Sequence, residues 1–263
     1  MSEIWRGTWV VAYRELLRFV NERSRLFGSF FQPVLFLVIF GAGFGNVIGS
    51  LAPGVDFVQF MYPGIIAMGV LTSSLFAGVS VVWDREFGFL REILVAPLAR
   101  TGIVLGKAIG AAVVALLQVL LLLVIAPIVG VDLSLELVLR LVPVVVILSM
   151  SLSGLGILIA SFMRSQQGFQ LLIQVLIFPL IFLAGVFFPV EGGPEWLQVL
   201  SKVNPMTYGV DAIRQIFLGP PATPALGVRI GDQVMTIGQE VAIVAVIGTL
   251  LFSVAIWAFR RQE

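Results

Sequence analysis

The sequence contains neither cysteine nor histidine, and only two of its 263 residues are lysine. These absences exclude disulfides, thiol catalysis, imidazole general bases and the usual zinc ligands. A phosphate-binding Gly-x-x-x-x-Gly-Lys-Ser/Thr loop is excluded as well, because Ala108 follows Lys107 and Val203 follows Lys202. We therefore expect a chain that is not an enzyme and that binds no cofactor or metal of its own.

Charged residues are scarce, at 12% of the chain against 59% hydrophobic residues, where a soluble domain has about a quarter charged. Six runs contain no Asp, Glu, Lys or Arg: 26–55, 57–83, 108–131, 141–163, 165–190 and 241–259. A helix needs roughly 20 apolar residues to cross the hydrocarbon of a bilayer. The runs predict an all-α polytopic membrane protein with six transmembrane helices, in a single domain that spans residues 1–263.

The basic residues lie mostly on one side of these runs. When the connecting segments are assigned alternately to the two sides, one side holds twelve of the sixteen Lys and Arg residues. Because positive charge is retained in the cytoplasm, we expect both termini to be cytoplasmic, in a multi-pass protein of the inner membrane. The net charge of +1 gives no indication of a nucleic-acid partner.

Residues 1–25 show helical periodicity before the first run. The apolar residues Trp9, Ala12, Leu16 and Phe19 recur every three or four positions. Another face is charged: Arg14, Arg18, Glu22 and Arg25. This pattern predicts an amphipathic helix along the inner membrane surface, where its arginines would meet anionic lipid or a protein neighbour. A simple topology anchor is the alternative interpretation.

Small residues recur at helical spacing in several runs. They are Gly41, Gly45 and Gly49 in the first run, Gly102, Gly106 and Gly110 before the third, and Ser149, Ser151, Ser153, Gly154 and Gly156 in the fourth. Such spacing lets another helix approach the backbone closely. The pattern predicts helix packing within the membrane.

Polar side chains inside the runs are mild. Gln118, Gln170 and Gln174 are candidate path-lining residues, although a hydrogen bond to a neighbouring helix is the alternative use. Ion-coupled carriers usually place a titratable residue within the membrane, and these runs contain none. A channel or secondary carrier that needs no partner is therefore a weaker interpretation.

The segment 84–100, between the second and third runs, has an amphipathic pattern. Phe87, Leu90, Leu94 and Leu98 share one helical face, and Pro97 restricts the residue before it. We expect a short helix at the cytoplasmic surface that docks into another protein, or alternatively an ordinary interfacial turn.

This segment, followed by residues 103–107, resembles the loop of ABC-2 type exporter permeases. The resemblance implies that it is the coupling helix seated on a separate ATP-binding subunit. The implied coupling residues are Asp84, Arg85, Glu86, Phe87, Gly88, Leu90, Arg91, Glu92, Leu94 and Pro97. Glu86, Arg91 and Glu92 would make polar contacts across that joint, with Phe87, Leu90 and Leu94 as apolar anchors.

A second segment, within 190–238, is similar to the stretch that the same family carries between its last two spans. Its matching residues are Trp196, Asn204, Pro205, Tyr208, Asp211 and Arg214. The resemblance implies short re-entrant helices, and the Asn204–Pro205 break separates two helical stretches. Asp211 and Arg214, three residues apart, are expected to form an exposed pair. Residues 228–237 alternate loosely, which predicts a small hairpin.

The resemblance implies the permease subunit of an ATP-binding cassette exporter that moves a hydrophobic or amphiphilic substrate, a drug or a lipid. ATP and Mg would be bound by the partner ATPase subunit. The other partners would be a second copy of the chain or a paralogous permease, together with membrane lipids. A lipid-linked polysaccharide exporter of the same family is the alternative, followed by a partner-independent channel or carrier and by a purely structural membrane protein.

Overall fold

The chain is described here as a computed structural model that covers residues 2–48, 56–86, 100–190, 193–219, 226–230 and 233–260. The helices of these residues are α1 (Ser2–Asn21), α2 (Arg23–Ile48), α3 (Phe57–Leu75), α4 (Ala77–Glu86), α5 (Arg100–Leu123), α6 (Leu135–Phe162), α7 (Gln166–Leu183), α8 (Glu195–Val203), α9 (Pro205–Leu218) and α10 (Ile237–Arg260). A 3-10 helix (Ala126–Val129) follows α5, and a two-stranded hairpin precedes α10.

Five helical units are long and apolar enough to cross a membrane, in the part of the chain that is described: Phe57–Glu86, Thr101–Leu123, Leu135–Phe162, Gln166–Leu183 and Ile237–Ala258. They correspond to five of the six predicted spans. The first predicted span, 26–55, falls partly on α2 and partly on residues outside the described ranges, and the described residues contribute the apolar stretch Phe30–Gly43. The prediction of six transmembrane helices is therefore supported for five of them, and the first stays a prediction.

The unit Phe57–Glu86 consists of α3 and α4, which are interrupted at Phe76. Just before the interruption, Thr72 Oγ1 donates to the Met68 carbonyl oxygen at 2.9 Å and Ser73 Oγ donates to the Gly69 carbonyl oxygen at 3.0 Å. Hydroxyl groups that bond to the preceding turn often bend a helix. The second predicted span thus contains two helices and continues to Glu86.

Helix α3 forms the centre of the core. Ile66, Val70 and Leu71 are fully buried, and α3 contacts α2, α5, α6 and α9. Against α6, Ser74 Oγ donates to Ser149 Oγ at 2.7 Å, and a β-carbon on Gly156 would lie 2.5 Å from the Leu75 carbonyl oxygen. The prediction that the small residues of the fourth run support close packing is confirmed at these positions.

Helix α1 packs lengthwise on α5 along the Gly102, Gly106 and Gly110 series. A β-carbon would lie 2.9 Å from the Ile4 carbonyl oxygen at Gly102 and 2.8 Å from the Thr8 carbonyl oxygen at Gly106. The two backbones are therefore too close for any residue with a side chain to fit without a shift. The glycine spacing predicted close helix packing, and the structure identifies α1 as the partner.

The apolar stripe predicted on α1 is divided between two sides of the helix. Ala12 and Phe19 are buried, whereas Trp9 is 73% exposed and stacks on the exposed Tyr13. The prediction that Trp9 shares a face with Ala12 and Phe19 is wrong, because the contact with α5 buries a narrower stripe of α1 side chains than the sequence pattern suggested. The aromatic residues on the outer side are free to meet lipid headgroups.

Large apolar side chains are exposed on α7 and α10, as expected for helices that face lipid or another subunit. They include Leu171, Val175, Phe178, Val246, Leu250 and Trp257. Without a bilayer or a partner, these side chains would form a large apolar surface in contact with water.

Between α7 and α10 the structure contains the predicted break between two short helices, while their re-entrant placement in the membrane stays a prediction. Helices α8 and α9 meet at Asn204, and Pro205 occupies the first turn of α9, where its missing N–H is not needed. The predicted hairpin is confirmed: β1 (Arg229–Ile230) pairs antiparallel with β2 (Gln233–Val234), with Arg229 opposite Val234.

Candidate functional site

The last three residues of α4, Asp84, Arg85 and Glu86, are the described beginning of the predicted coupling segment, and we call them the α4 junction. Asp84 is 3% exposed. Its Oδ2 atom lies 2.8 Å from Lys107 Nζ on α5, and its Oδ1 atom lies 2.9 Å from Arg14 Nη2 on α1. One buried carboxylate therefore joins three helices.

Lys107 completes a balanced cluster of charges next to this carboxylate. Its ammonium group donates to Ser80 Oγ at 2.7 Å and lies 3.9 Å from the Glu15 carboxylate. The cluster thus contains two cations, Arg14 and Lys107, and two carboxylates, Asp84 and Glu15. Buried charges are tolerated when they are paired and hydrogen-bonded in this way.

The other two residues of the α4 junction bind the ends of α6 and α7. Arg85 Nη1 donates to the Met163 carbonyl oxygen at 2.6 Å and to the Ser161 carbonyl oxygen at 3.3 Å. Glu86 Oε2 accepts from the Gln166 backbone N–H at 3.0 Å. A cation at a helix C-terminus and a carboxylate at a helix N-terminus both complement the helix dipole.

The remaining predicted coupling residues lie in 87–99, outside the described residues: Phe87, Gly88, Leu90, Arg91, Glu92, Leu94 and Pro97. The structure places Glu86 against α7, so this side chain already has a partner within the chain. The assignment of these residues to an ATPase contact stays a prediction.

A cavity of about 420 Å³ lies beside the α4 junction, and we call it the central cavity. It is bounded by α1, α2, the α3–α4 unit, α5 and the start of α7. Its residues with uncharged hydroxyl or amide side chains are Gln32, Thr72, Ser73, Ser80, Gln118, Gln166 and Gln170, and its charged residues are Glu15, Arg18 and Glu22. Aromatic residues contribute as well, with the Arg18 guanidinium 4.4 Å from the centroid of the Trp83 ring.

The three candidate path-lining glutamines occupy different environments. Gln118 is 4% exposed and lines the central cavity, and Gln170 lines it from α7. Gln174, one turn further along α7, is exposed and lies outside the residues that line the cavity. The structure therefore brings two of the three together and leaves Gln174 apart.

At the opposite end of the bundle, Asn204 and Tyr208 hold the predicted outer segment in place. Asn204 Oδ1 accepts from the Met206 backbone N–H at 3.0 Å and its Nδ2 donates to the Leu180 carbonyl oxygen at 2.8 Å. The Tyr208 hydroxyl donates to the Lys202 carbonyl oxygen at 2.7 Å. Trp196, which the family resemblance also picks out, is 63% exposed.

Asp211 and Arg214 are buried, at 1% and 5% exposure, and they form no ion pair with each other in the described structure. Asp211 Oδ2 accepts from the Val228 backbone N–H at 2.7 Å. Arg214 donates to the Gly185 carbonyl oxygen at 2.6 Å and its guanidinium lies 4.1 Å from the centroid of the Phe60 ring. The prediction of an exposed Asp211–Arg214 pair is wrong, because tertiary contacts provide separate partners for both side chains.

Burial lowers the pKa of Arg214 to about 10, so its guanidinium stays charged at neutral pH. Glu240, at the start of α10, is fully buried and interacts electrostatically with Asp211 and Arg214. The sequence reasoning assigned no role to Glu240, since it lies just before the last uncharged run.

Sequence reasoning also missed Arg14, Glu15 and Lys107 as parts of the site. A signal for Lys107 was present, because it lies two turns inside an otherwise apolar helix and a lysine there needs a carboxylate partner. The signal did not identify the partner, since Arg14, Asp84 and Lys107 are far apart in the chain.

The fold and the site together describe a polytopic helical membrane protein with polar contacts at both ends of the bundle. The family model described as ABC-2 type transporter matches residues 6–218. The chain belongs to the ABC-2 type transporter family, and it is the membrane subunit of an ABC transporter rather than its ATPase.

Several named relatives agree with this assignment. The chain is 29% identical over 214 residues to a protein of Cyanophora paradoxa named as a transport permease, ycf38, with 80% of this chain and 73% of that protein covered. It is 36% identical over 174 residues to the Escherichia coli K12 protein named as a multidrug ABC transporter permease, YbhR, with 63% and 45% covered. It is 28% identical over 220 residues to Nodulation protein J of Rhizobium leguminosarum bv. trifolii, with 83% and 81% covered.

Proposed function

We propose that the chain is the permease subunit of an exporter that moves a hydrophobic or amphiphilic substrate, a drug or a lipid, out of the cytoplasm. ATP and Mg are bound and ATP is hydrolysed by a separate ATPase subunit. Both termini and the segment 84–100 lie on the cytoplasmic side of the inner membrane, in accordance with the distribution of positive charge. The relative YbhR is named as a multidrug permease, and the similarity of the two sequences supports a drug as the substrate.

The observation that carries the proposal is the set of contacts at the α4 junction. Asp84 joins α4 to α1 and α5, Arg85 joins it to the end of α6, and Glu86 joins it to the start of α7. A displacement of the adjoining segment 87–99 by an ATPase is therefore transmitted to four other helices at once. The Asp84–Lys107 pair is buried, whereas the Glu86–Gln166 hydrogen bond is exposed, so the Asp84 pair is expected to contribute most to this connection.

In this mechanism the ATPase subunits close on ATP and draw the coupling segment with them. The α4 junction then shifts α5, α6 and α7 toward an outward-open arrangement. The permease has an outward-open arrangement and the arrangement that precedes it. ATP shifts the population toward the outward-open one only if it favours that state, so the coupling segment must fit the closed ATPase pair better in the outward-open state.

The proposed complex contains two permease subunits and two ATPase subunits. The exposed apolar side chains of α7, such as Leu171, Val175 and Phe178, provide a surface for a second copy, for a paralogous permease or for lipid. A lipid-linked polysaccharide exporter is the second candidate function. It is supported by the uncharged polar lining of the central cavity, which suits a hydroxyl-rich headgroup.

The test combines co-purification with vesicle transport. We expect the chain to co-purify with its ATPase, and we expect ATP-dependent export of an amphiphile from vesicles that contain both subunits. Leu90→Asp is expected to separate ATP turnover from transport while the chain still inserts in the membrane. Normal export and normal ATPase stimulation in this variant would remove the coupling assignment, and transport by the chain alone would refute the exporter proposal.

A further inference from the structure

The central cavity has a position and a lining that can be compared with the chemistry of an amphiphile. Met68 and Trp83 both line it and are 15 positions apart on the α3–α4 unit, which corresponds to about 22 Å along a helix. The cavity therefore extends from the α4 junction to about the middle of the span. Its volume of about 420 Å³ lies within the range of sites that hold drug-sized molecules.

The polar groups in the deeper part of the cavity are uncharged. The Thr72 and Ser73 hydroxyls donate to their own helix backbone and so retain the capacity to accept a hydrogen bond. The amide groups of Gln118 and Gln170 can both donate and accept. A hydroxyl group, which both donates and accepts, can form a hydrogen bond with each of these side chains. A carboxylate supplies acceptors only, and an ammonium group supplies donors only.

The charged residues of the described lining lie at one end: Glu15 and Arg18 are on α1, and Glu22 follows directly after it. Arg18 stacks on Trp83 and is flanked one turn away by Glu15 and Glu22. Glu15 also lies 3.9 Å from Lys107, which pairs with Asp84 beside Arg14, so the charges at this end largely balance one another. The deeper lining offers no charged side chain to compensate for the desolvation of an anionic or a cationic headgroup.

We propose that the central cavity binds an amphiphile with a neutral, hydroxyl-bearing headgroup, and that the hydrogen bonds come from Thr72, Gln118 and Gln170. The apolar and aromatic parts of the lining, including Met68 and Phe76, accommodate the apolar body of the ligand. This inference rests on the proposed transport function. It adds a binding site for the transported amphiphile and the chemical class of the amphiphile's headgroup.

The experiment uses the permease with its ATPase in lipid nanodiscs and an octyl glucoside probe that carries a diazirine in its alkyl chain. After illumination, we expect labelled peptides that contain Met68, Phe76 or Trp83. Unlabelled octyl glucoside is expected to compete, whereas octylamine and octanoate of the same chain length are not. Labelling confined to lipid-facing residues such as Leu250 would overturn the proposal, as would equal competition by octylamine or octanoate.

Two glutamines on α7 provide a matched pair of variants. Gln170→Leu removes one hydrogen-bonding group from the cavity and is expected to weaken competition by octyl glucoside about three- to ten-fold. Gln174→Leu makes the same change one turn away, outside the cavity, and is expected to leave competition unchanged. Equal effects of the two variants would contradict a site in the cavity.

A variant that fills the cavity tests its occupancy without removing an amide. Thr72→Phe is expected to abolish labelling of the cavity. The control is Val246→Phe on the exposed side of α10, which is expected to leave labelling intact. The melting temperature and the subunit stoichiometry are measured for both variants. If Thr72→Phe releases a second permease subunit, the space belongs to a protein contact and the ligand proposal is wrong. Labelling of the cavity does not require ATP hydrolysis. If the cavity is labelled but substrate does not stimulate ATP turnover, the exporter proposal fails and the binding site remains.

Discussion

Lys107 Nζ lies 2.8 Å from Asp84 Oδ2, and the two side chains are only 3% and 5% exposed. The ion pair joins α5 to the last turn of α4, directly before the segment 87–99. Arg14 approaches the other carboxylate oxygen from α1. Removing the carboxylate leaves a buried ammonium group without its closest anion, and this is costly because water cannot replace the lost partner.

We therefore predict that Asp84→Asn lowers the free energy of unfolding by about 3–5 kcal/mol. Thermal unfolding in lipid nanodiscs measures the change. The control is Arg140→Gln, which breaks the exposed Glu136–Arg140 pair of α6 and is expected to cost about 1 kcal/mol or less. Similar losses in the two variants would contradict a stabilising role for the buried pair.

A second prediction concerns Arg85, which connects the α4 junction to the end of α6. Arg85→Ala removes the hydrogen bonds to the Ser161 and Met163 carbonyl oxygens. We expect substrate-stimulated ATP turnover to fall about ten-fold, the equivalent of about 1.4 kcal/mol, while the chain still assembles with its ATPase. ATP turnover is measured with and without substrate in the reconstituted complex.

Two further variants test this interpretation of Arg85. Arg85→Lys keeps the charge and one donor and is expected to recover part of the stimulation. Arg164→Ala removes an exposed arginine beside the same helix end and is expected to have little effect. Full stimulation in Arg85→Ala would show that α6 receives no displacement through this contact.

Five of the spans, the α8–α9 break and the hairpin could be predicted from the sequence because their signals are local. A run without charges fixes a span, and Asn204 followed by Pro205 fixes the start of α9. Partner choice is not local: Thr8 Oγ1 contacts the Gly102 carbonyl oxygen across 94 positions of the chain. The same holds for Asp211, whose partner Val228 lies 17 positions further along the chain.

The packing of α1 on α5 leads to a third prediction. A β-carbon on Gly106 would lie 2.8 Å from both the Thr8 carbonyl oxygen and Val11 Cβ, so Gly106→Ala must displace α1. We expect a loss of about 1–3 kcal/mol in stability, measured by thermal unfolding. The matched control is Gly43→Ala in α2, where nothing lies within 4 Å and the helix propensity of alanine gains up to about 1 kcal/mol. A neutral Gly106→Ala variant would mean that α1 is not held against α5.

The last prediction separates two roles of Asn204, a residue that is 5% exposed. Its Oδ1 atom caps α9 through the Met206 N–H, and its Nδ2 atom donates to the Leu180 carbonyl oxygen at the end of α7. Asn204→Ala loses the cap, at about 0.5–2 kcal/mol, and leaves a carbonyl group without this donor, at about 1–3 kcal/mol.

Asn204→Ser is the informative comparison, since a serine hydroxyl caps a helix well but is too short to replace the amide donor to Leu180. We expect it to recover about 1 kcal/mol relative to Asn204→Ala and to remain less stable than the unchanged chain. Thermal unfolding gives the stabilities, and hydrogen exchange of the Met206 amide reports the cap. Equal stability of the two variants would show that the cap contributes little and that Asn204 acts through its contact with α7, because the capping hydrogen bond is the one interaction that distinguishes serine from alanine at this position.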